Sequence, residues 1–179
     1  MRGGNTLYNQ GMMKQGRMQI RFAEQTDLPT LMDLVNRAFV VEKSFKYNDR
    51  LNPEQTQEHF DRGRFFLAEY DGKPVGSIYL ELRGERAYFG LLAVDPARQG
   101  QGIGRRLISI VEQYAREQGA KFMDMAIVDL RTELPAFYER LGYKACGSGE
   151  IPPEMIGPLR MPCRFIQYSR PLSSEDADR

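Results

Sequence analysis

The chain is poor in the residues that build metal and disulfide scaffolds. It has two cysteines, Cys146 and Cys163, and one histidine, His59, among 179 residues. Two cysteines exclude a zinc-ribbon framework and a disulfide-dense scaffold. A single bridge between them is open, but reduced thiols in the cytoplasm are the preferred reading. Charge of one sign is lacking too: Lys+Arg 25 against Asp+Glu 24 gives a net charge of +1. A dedicated nucleic-acid domain should be clearly basic, so that class is set aside. The longest mostly apolar run, Ala87 to Val94, falls far short of the ~20 residues of a spanning helix. Met1 to Arg17 has no apolar centre and does not read as a secretory signal. Internal repeats and low-complexity tracts are absent.

What remains is ordinary globular composition, with 41% hydrophobic and 27% charged residues in a length suited to one domain. We expect a domain over 18–172. Residues 1–17 read as a disordered leader, an upstream start artefact ahead of Met18, or a small docking arm. The polar tail Ser173 to Arg179 should fray.

Met18 to Ala23 alternates as a strand does. Leu28, Leu31, Met32, Val35, Ala38 and Phe39 follow the spacing of an amphipathic helix. Phe45 to Asn52 reads as a loop and Pro53 to Phe60 as a short helix. Phe65 to Tyr70 and Val75 to Leu82 flank Asp71-Gly72, a hairpin turn pair. Ala87 to Val94 is the next strand. A glycine loop leads into a helix carrying Ile103, Leu107, Ile110, Val111 and Tyr114. Phe122 to Val128 is a strand, and Leu134 to Leu141 a helix. Tyr143 to Gly147 and Arg164 to Arg170 are final strands around a proline-rich irregular loop. The order β-α-α-β-β-β-α-β-α-β-β predicts an α/β sheet that is antiparallel in part.

The informative segment is Leu91 to Leu107. Gly100, Gly102 and Gly104 open a helix directly after a strand. Glycine lets backbone N–H groups approach a ligand, and the helix start presents unpaired N–H groups at the positive end of its dipole. That pattern suits a phosphate or pyrophosphate, although a tight β-α turn alone would also explain it. The dinucleotide pattern G-x-G-x-x-G fails, because Arg105 and Leu107 stand where glycine is required, and no Gly-Lys-Ser or Gly-Lys-Thr P-loop occurs.

Gln99-Gly100-Gln101-Gly102-Ile103-Gly104 resembles the Q/R-x-x-G-x-G/A signature of the GNAT superfamily of acyl-coenzyme A dependent N-acyltransferases. Phe137-Tyr138-Glu139-Arg140-Leu141-Gly142-Tyr143 resembles the second landmark of that family, in the proper order and spacing. The resemblance covers roughly residues 18–170. It implies a mixed central sheet of about six to seven strands flanked by about four helices. It implies acetyl-coenzyme A as co-substrate and transfer to a primary amine in a ternary complex. No metal, nucleic acid or membrane is expected, the location is cytoplasmic, and a homodimer stays open. Backbone groups of Leu92, Ala93 and Val94 would take the pantetheine arm. The loop Gln99, Gly100, Gln101, Gly102, Ile103, Gly104, Arg105 would take the pyrophosphate. Tyr138 would protonate the leaving thiolate; a packing role for it is the plain alternative.

Departures from the family pattern are equally specific. Where many members carry a pantetheine-binding asparagine, this chain has Arg131. The strand Ala87 to Val94 has no carboxylate to serve as base, so Glu81, Asp124, Asp129, Tyr88 or a water chain are the candidates. Arg98, Arg105, Arg106 and Arg140 are within reach of phosphates by position, but surface arginines usually meet only water, and only the backbone near Arg105 is counted on; His59 reads as a solvated surface residue. A covalent acyl-enzyme through either cysteine is disfavoured, since neither has a neighbouring histidine. Phe45, Lys46, Tyr47, Asp49, Arg50 and the Pro152 to Pro162 loop should wall the acceptor, for which a small amine is preferred to a protein. A non-catalytic coenzyme-A-binding module and a protein-modifying enzyme acting in a complex are the rivals.

Overall fold

In the computed structural model, which describes residues 18–152 and 157–172, the elements follow the expected order. They are β1 (Met18–Phe22), α1 (Leu28–Ala38), α2 (Pro53–Arg62), β2 (Arg64–Tyr70), β3 (Lys73–Arg83), β4 (Arg86–Val94), α3 (Ile103–Glu117), β5 (Phe122–Val128), α4 (Pro135–Arg140), β6 (Lys144–Glu150) and β7 (Arg164–Pro171). Expectations about the leader, the tail and residues 153–156 of the proline-rich loop fall outside the described residues.

The strands make one seven-stranded sheet in the order β1-β2-β3-β4-β5-β7-β6. Every pairing is antiparallel except β4 with β5. The antiparallel part grows from tight turns: Asp71-Gly72 and Gly84 take the positive φ values such turns need. The parallel pair needs a crossover, and α3 supplies it. Helix α1 covers one face with Leu31, Leu34 and Val35, and α3 covers the other with Leu107, Ile108 and Val111.

Strand β4 changes sides part-way along. Tyr79 of β3 pairs with Gly90 and Ser77 with Ala93, so β4 carries one extra residue against β3. Two consequences follow. Ala87 and Phe89 pack on the α3 face, whereas Leu91 and Ala93 pack on the α1 face. Leu92 and Val94 move to the α3 face instead. The insertion puts Leu91 at φ 50, a left-handed conformation costing roughly 1–2 kcal/mol for a residue with a Cβ. Burying the Leu91 side chain offsets this, at roughly 1.5–3 kcal/mol. Such bulges bend a strand and sharpen its twist.

The bend explains the other pairing. β4 and β5 are in register only from Arg86–Phe122 to Tyr88–Asp124. Beyond Tyr88 the two strands part, and among the described residues the β5-facing edge of β4 has no strand partner from Phe89 onward.

Candidate active site

The parting of β4 and β5 opens a cleft of about 660 Å³. Tyr88 to Leu92 and Val94 line one wall, and Met125 to Val128 the other. The glycine turn closes one end, Tyr138 and Phe137 stand on the α4 side, and Glu42, Arg50 and Arg131 complete the lining.

Two helix starts show what sets the glycine end apart. In α2, Asn52 Oδ1 accepts from Gln55 N at 2.8 Å, and Gln55 Oε1 accepts from Asn52 N at 3.1 Å. This capping box satisfies the first amides. In α3 the cap is Gly102 at φ 79, and among the described residues no side chain caps the helix. Its first N–H groups, which no helix can satisfy internally, are left for a ligand. A Cβ added at Gly100 or Gly102 would meet nothing within 4 Å, so both border open space. Gly104 lies inside α3, where a Cβ would meet only Val94 Cγ2 at 3.6 Å and Leu92 Cδ2 at 3.7 Å. The fold itself therefore does not demand glycine at 104.

Of the residues expected to take the coenzyme, Leu92, Val94, Gln99, Gly100, Gly102, Ile103, Gly104 and Arg105 line the cleft. Gln101 is exposed and outside the lining, and Ala93 turns its side chain into the α1 core because of the bulge. The exposed Gln99 side chain folds back on the strand: its Nε2 donates to Val94 O at 3.4 Å. Arg98 lines the cleft with its guanidinium over the Tyr70 ring at 4.6 Å, whereas Arg106 and Arg140 stand outside.

Tyr138 is 5% exposed and packs at 5.0 Å from Phe137, 6.1 Å from Phe89 and 6.2 Å from Tyr143 by ring centroids. Burial pushes its phenol above the usual tyrosine range, so it keeps its proton throughout the neutral range. The second tyrosine of the motif does different work. Tyr143 donates to Glu112, which also accepts from Arg170 Nη1 at 3.2 Å, and this fixes α4 to α3 and β7.

The proposed base residues separate clearly. Glu81 accepts from Tyr79 at 3.0 Å and Arg83 at 2.8 Å, Asp124 holds Arg86 at 2.6 Å, and Asp129 caps Arg164 N at 3.0 Å. None of the three lines the cleft; Tyr88 does. His59 is half-buried rather than solvated. Its Nδ1 lies 2.7 Å from Gln55 O, its ring stands edge-on to Tyr79 at 4.8 Å, and burial pushes its pKa down.

The acceptor wall needs correcting as well. Phe45 and Lys46 are 3% and 1% exposed, and Phe45 packs with Val128 and Ile151. Lys46 pairs with Leu159 in an isolated bridge, its Nζ donates to Asp49 O at 2.8 Å, and burial pushes its pKa down to about 8. Tyr47 and Asp49 border a different, shallow hollow. Among the described residues only Arg50 of those expected reaches the cleft, and Glu42, which sequence reasoning missed, joins it there. No spacing marked Glu42: it sits in a short 3₁₀ turn, Val40–Ser44, whose fold depends on tertiary contacts.

The profile of the acetyltransferase (GNAT) family matches residues 28–143. The chain belongs to the GNAT acetyltransferase family. An uncharacterised N-acetyltransferase of Methanocaldococcus jannaschii is 31% identical over 91 residues, 47% of this chain and 40% of that protein. The matched segment thus spans less than half the length of that relative. Among solved structures, the ribosomal-protein-S18-alanine N-acetyltransferase of Escherichia coli superposes with a TM-score of 0.70 at 19% identity. That match covers 90% of this chain and 98% of the other. A Salmonella typhimurium protein provisionally described as an acetyltransferase, solved with its cofactor acetyl-CoA, gives 0.66 at 20% identity, covering 92% and 99%. These likenesses share the GNAT fold with the present chain. Among the described residues no group of His, Cys, Asp and Glu could hold a metal, and no helix is long and apolar enough to cross a membrane.

Proposed function

We propose that this chain is an N-acetyltransferase that moves the acetyl group of acetyl-coenzyme A onto a primary amine by direct attack in a ternary complex. The observation that carries this reading is the parting of β4 and β5 around a cleft that runs from an uncapped glycine-led helix start to Tyr138. Pantetheine is an extended amide chain, and an open strand edge binds such a chain as it binds a peptide. Backbone groups of Leu92, Ala93 and Val94 would hold it there. The amides of Gly102, Ile103, Gly104 and Arg105 would hold the pyrophosphate, whose charge suits the helix dipole. The open space at Gly100 and Gly102 fits such a group. The family match and the neighbour carrying acetyl-CoA support the choice of donor.

The amine nitrogen attacks the thioester carbon, and the carbonyl oxygen becomes anionic. A backbone N–H near Val94 would stabilise it. The C–S bond then breaks, and Tyr138 gives its proton to the departing thiolate. A phenol held protonated by burial is suited to that task.

A small amine is the first reading of the acceptor. A protein amine is the second, favoured by Val40 and Val41, which are exposed by 56% and 49% on the turn that carries Glu42. The neighbour named for a ribosomal-protein alanine supports it. The test is a panel of amines with a free-thiol readout, comparing acetyl-coenzyme A with longer acyl donors. Amine-dependent thiol release, fastest with the acetyl donor, is expected. Tight coenzyme binding without release to any amine or peptide would favour the non-catalytic coenzyme-binding module.

A further inference from the structure

The geometry points to Glu42 as the residue that receives the acceptor amine: its Oε2 accepts an N–H of the incoming ammonium and takes the proton that frees the nitrogen for attack. This rests on the acetyltransferase reading above.

Glu42 is 3% exposed and lines the cleft. Its Oε2 is buried and accepts no hydrogen bond from any described residue. A buried carboxylate oxygen without a donor carries its full desolvation cost, which native structures avoid unless the atom has a use. Two arginines flank it, with Arg131 Nη1 at 3.6 Å from Oε1 and Arg50 Nε at 3.8 Å from Oε2. Both distances are too long for hydrogen bonds, but short enough to favour the charged form. Arg131 gives its close contact elsewhere, to Glu133 at 2.6 Å. The two arginines thus favour the carboxylate form while Oε2 still lacks a donor. An ammonium supplies both an N–H and a proton.

No other carboxylate competes. Among the described residues the cleft is lined by two, Glu42 and Glu133. Glu133 is 57% exposed at its side chain and engaged with Arg131. The balance is simple. The ammonium proton passes to Glu42, the free amine attacks, and the C–S bond breaks as the thiolate takes the Tyr138 proton. The acylated nitrogen returns a proton to the Tyr138 phenolate, and Glu42 releases its own to solvent.

Burial pushes the Glu42 carboxyl above its ordinary value, while Arg50, Lys46 and Arg131 oppose that rise. Cys163 also senses Glu42. These are the groups that face it, and burial pushes Lys46 down to about 8. A carboxylate raised in this way accepts a proton more readily than an ordinary one.

The test compares wild type with Glu42→Gln and Glu42→Asp. The acceptor is the fastest of ethanolamine, spermidine, kanamycin, L-lysine and a tetrapeptide beginning with alanine. Calorimetric affinity for acetyl-coenzyme A should stay within about two-fold in both variants, which checks that the cleft has folded. At pH 7, Glu42→Gln should lower kcat roughly 10²-fold, and Glu42→Asp by less. The decisive readout is pH. The glutamine variant depends on amine that is already neutral, so its kcat/KM should climb about ten-fold per pH unit below the amine pKa. Wild type should be nearly flat there, and the gap should close as pH rises. A deficit equal at every pH, or no deficit, overturns the role of Glu42. Wild type that binds acetyl-coenzyme A yet acetylates nothing in the panel overturns the acetyltransferase reading instead, and this inference with it.

Discussion

The two ends of the cleft are built differently. The glycine end is made of backbone: an open strand edge, a turn at positive φ and an uncapped helix start, all within Tyr88 to Arg105. The acceptor end is made of side chains from separate segments, with Glu42 from a short turn, Arg50 from a loop and Arg131 from the β5–α4 connection. A site made of backbone depends on local conformation, and its sequence must supply glycine at fixed spacing. A site made of side chains depends on tertiary placement, and its residues can come from anywhere. The first end suits a ligand that is always the same, the second one that varies.

The largest expected effect breaks the backbone end alone. Gly104→Val should weaken acetyl-coenzyme A binding by about 100-fold or more, because the side chain fills the space a ligand would occupy beside the helix amides. The melting temperature should hold within a few degrees, since a Cβ at 104 makes only ordinary contacts. Gly104→Ala should bind more weakly than wild type and melt no lower, alanine being up to about 1 kcal/mol better than glycine in a helix. Calorimetric titration and thermal melts of both variants check this; unchanged affinity would remove the glycine turn from the site.

Next comes the junction of the two ends. Tyr138→Phe keeps the ring in its contacts with Phe137, Phe89 and Tyr143. It should leave coenzyme affinity alone and lower kcat roughly 10²-fold where chemistry limits turnover. The loss should shrink for a donor with a more acidic leaving thiol. Full turnover in the variant, measured by stopped-flow thiol release, would reduce Tyr138 to a packing residue.

A smaller effect concerns pH. The acid form of Tyr138 is the active one, and burial raises its pKa, so ionisation of this residue should not lower kcat below about pH 10. A kcat profile that falls between pH 8 and pH 9 through a group lost in Tyr138→Phe would contradict the buried setting.

The smallest effect lies far from the cleft and serves as a reference. Arg21 donates to Asp27 at 2.7 Å and to Glu69 at 2.9 Å, tying β1 to β2 and to the start of α1. The hydrogen bonds from Arg21 hold the Asp27 carboxyl below its ordinary range. A carboxylate lowered in this way stabilises the fold above its unfolded pKa, near 4, and loses that contribution as pH falls through the folded value. Asp27→Asn should therefore melt lower than wild type at pH 7, by a few degrees, with the gap narrowing at pH 3. Coenzyme affinity should not change.

The same contrast decides what could be read from the chain. Regular elements were legible because alternation in Ile20 and Phe22 and helical spacing in Leu31, Val35 and Leu107 are local signals. The glycine turn was legible because its chemistry lies in consecutive residues. The bulge at Leu91 was not, since Ala87 to Val94 alternates without interruption in burial while its side chains change face. Glu42 was not, because its surroundings depend on Arg50 and Arg131 arriving from other segments. Lys46 and Phe45 were misread as wall residues for the same reason: their burial is set by Val128, Ile151 and Leu159, which lie far along the chain.

The most direct test of the account is an amide NMR titration of the protein with acetyl-coenzyme A. The largest shifts should fall on Leu92 to Val94 and on Gln99 to Arg105, with smaller ones at Tyr138 and none at Asp27 or Glu69. Saturable binding whose shifts avoid the β4 edge and the α3 start, or no binding at millimolar coenzyme, would contradict the central claim that this cleft is where the coenzyme lies.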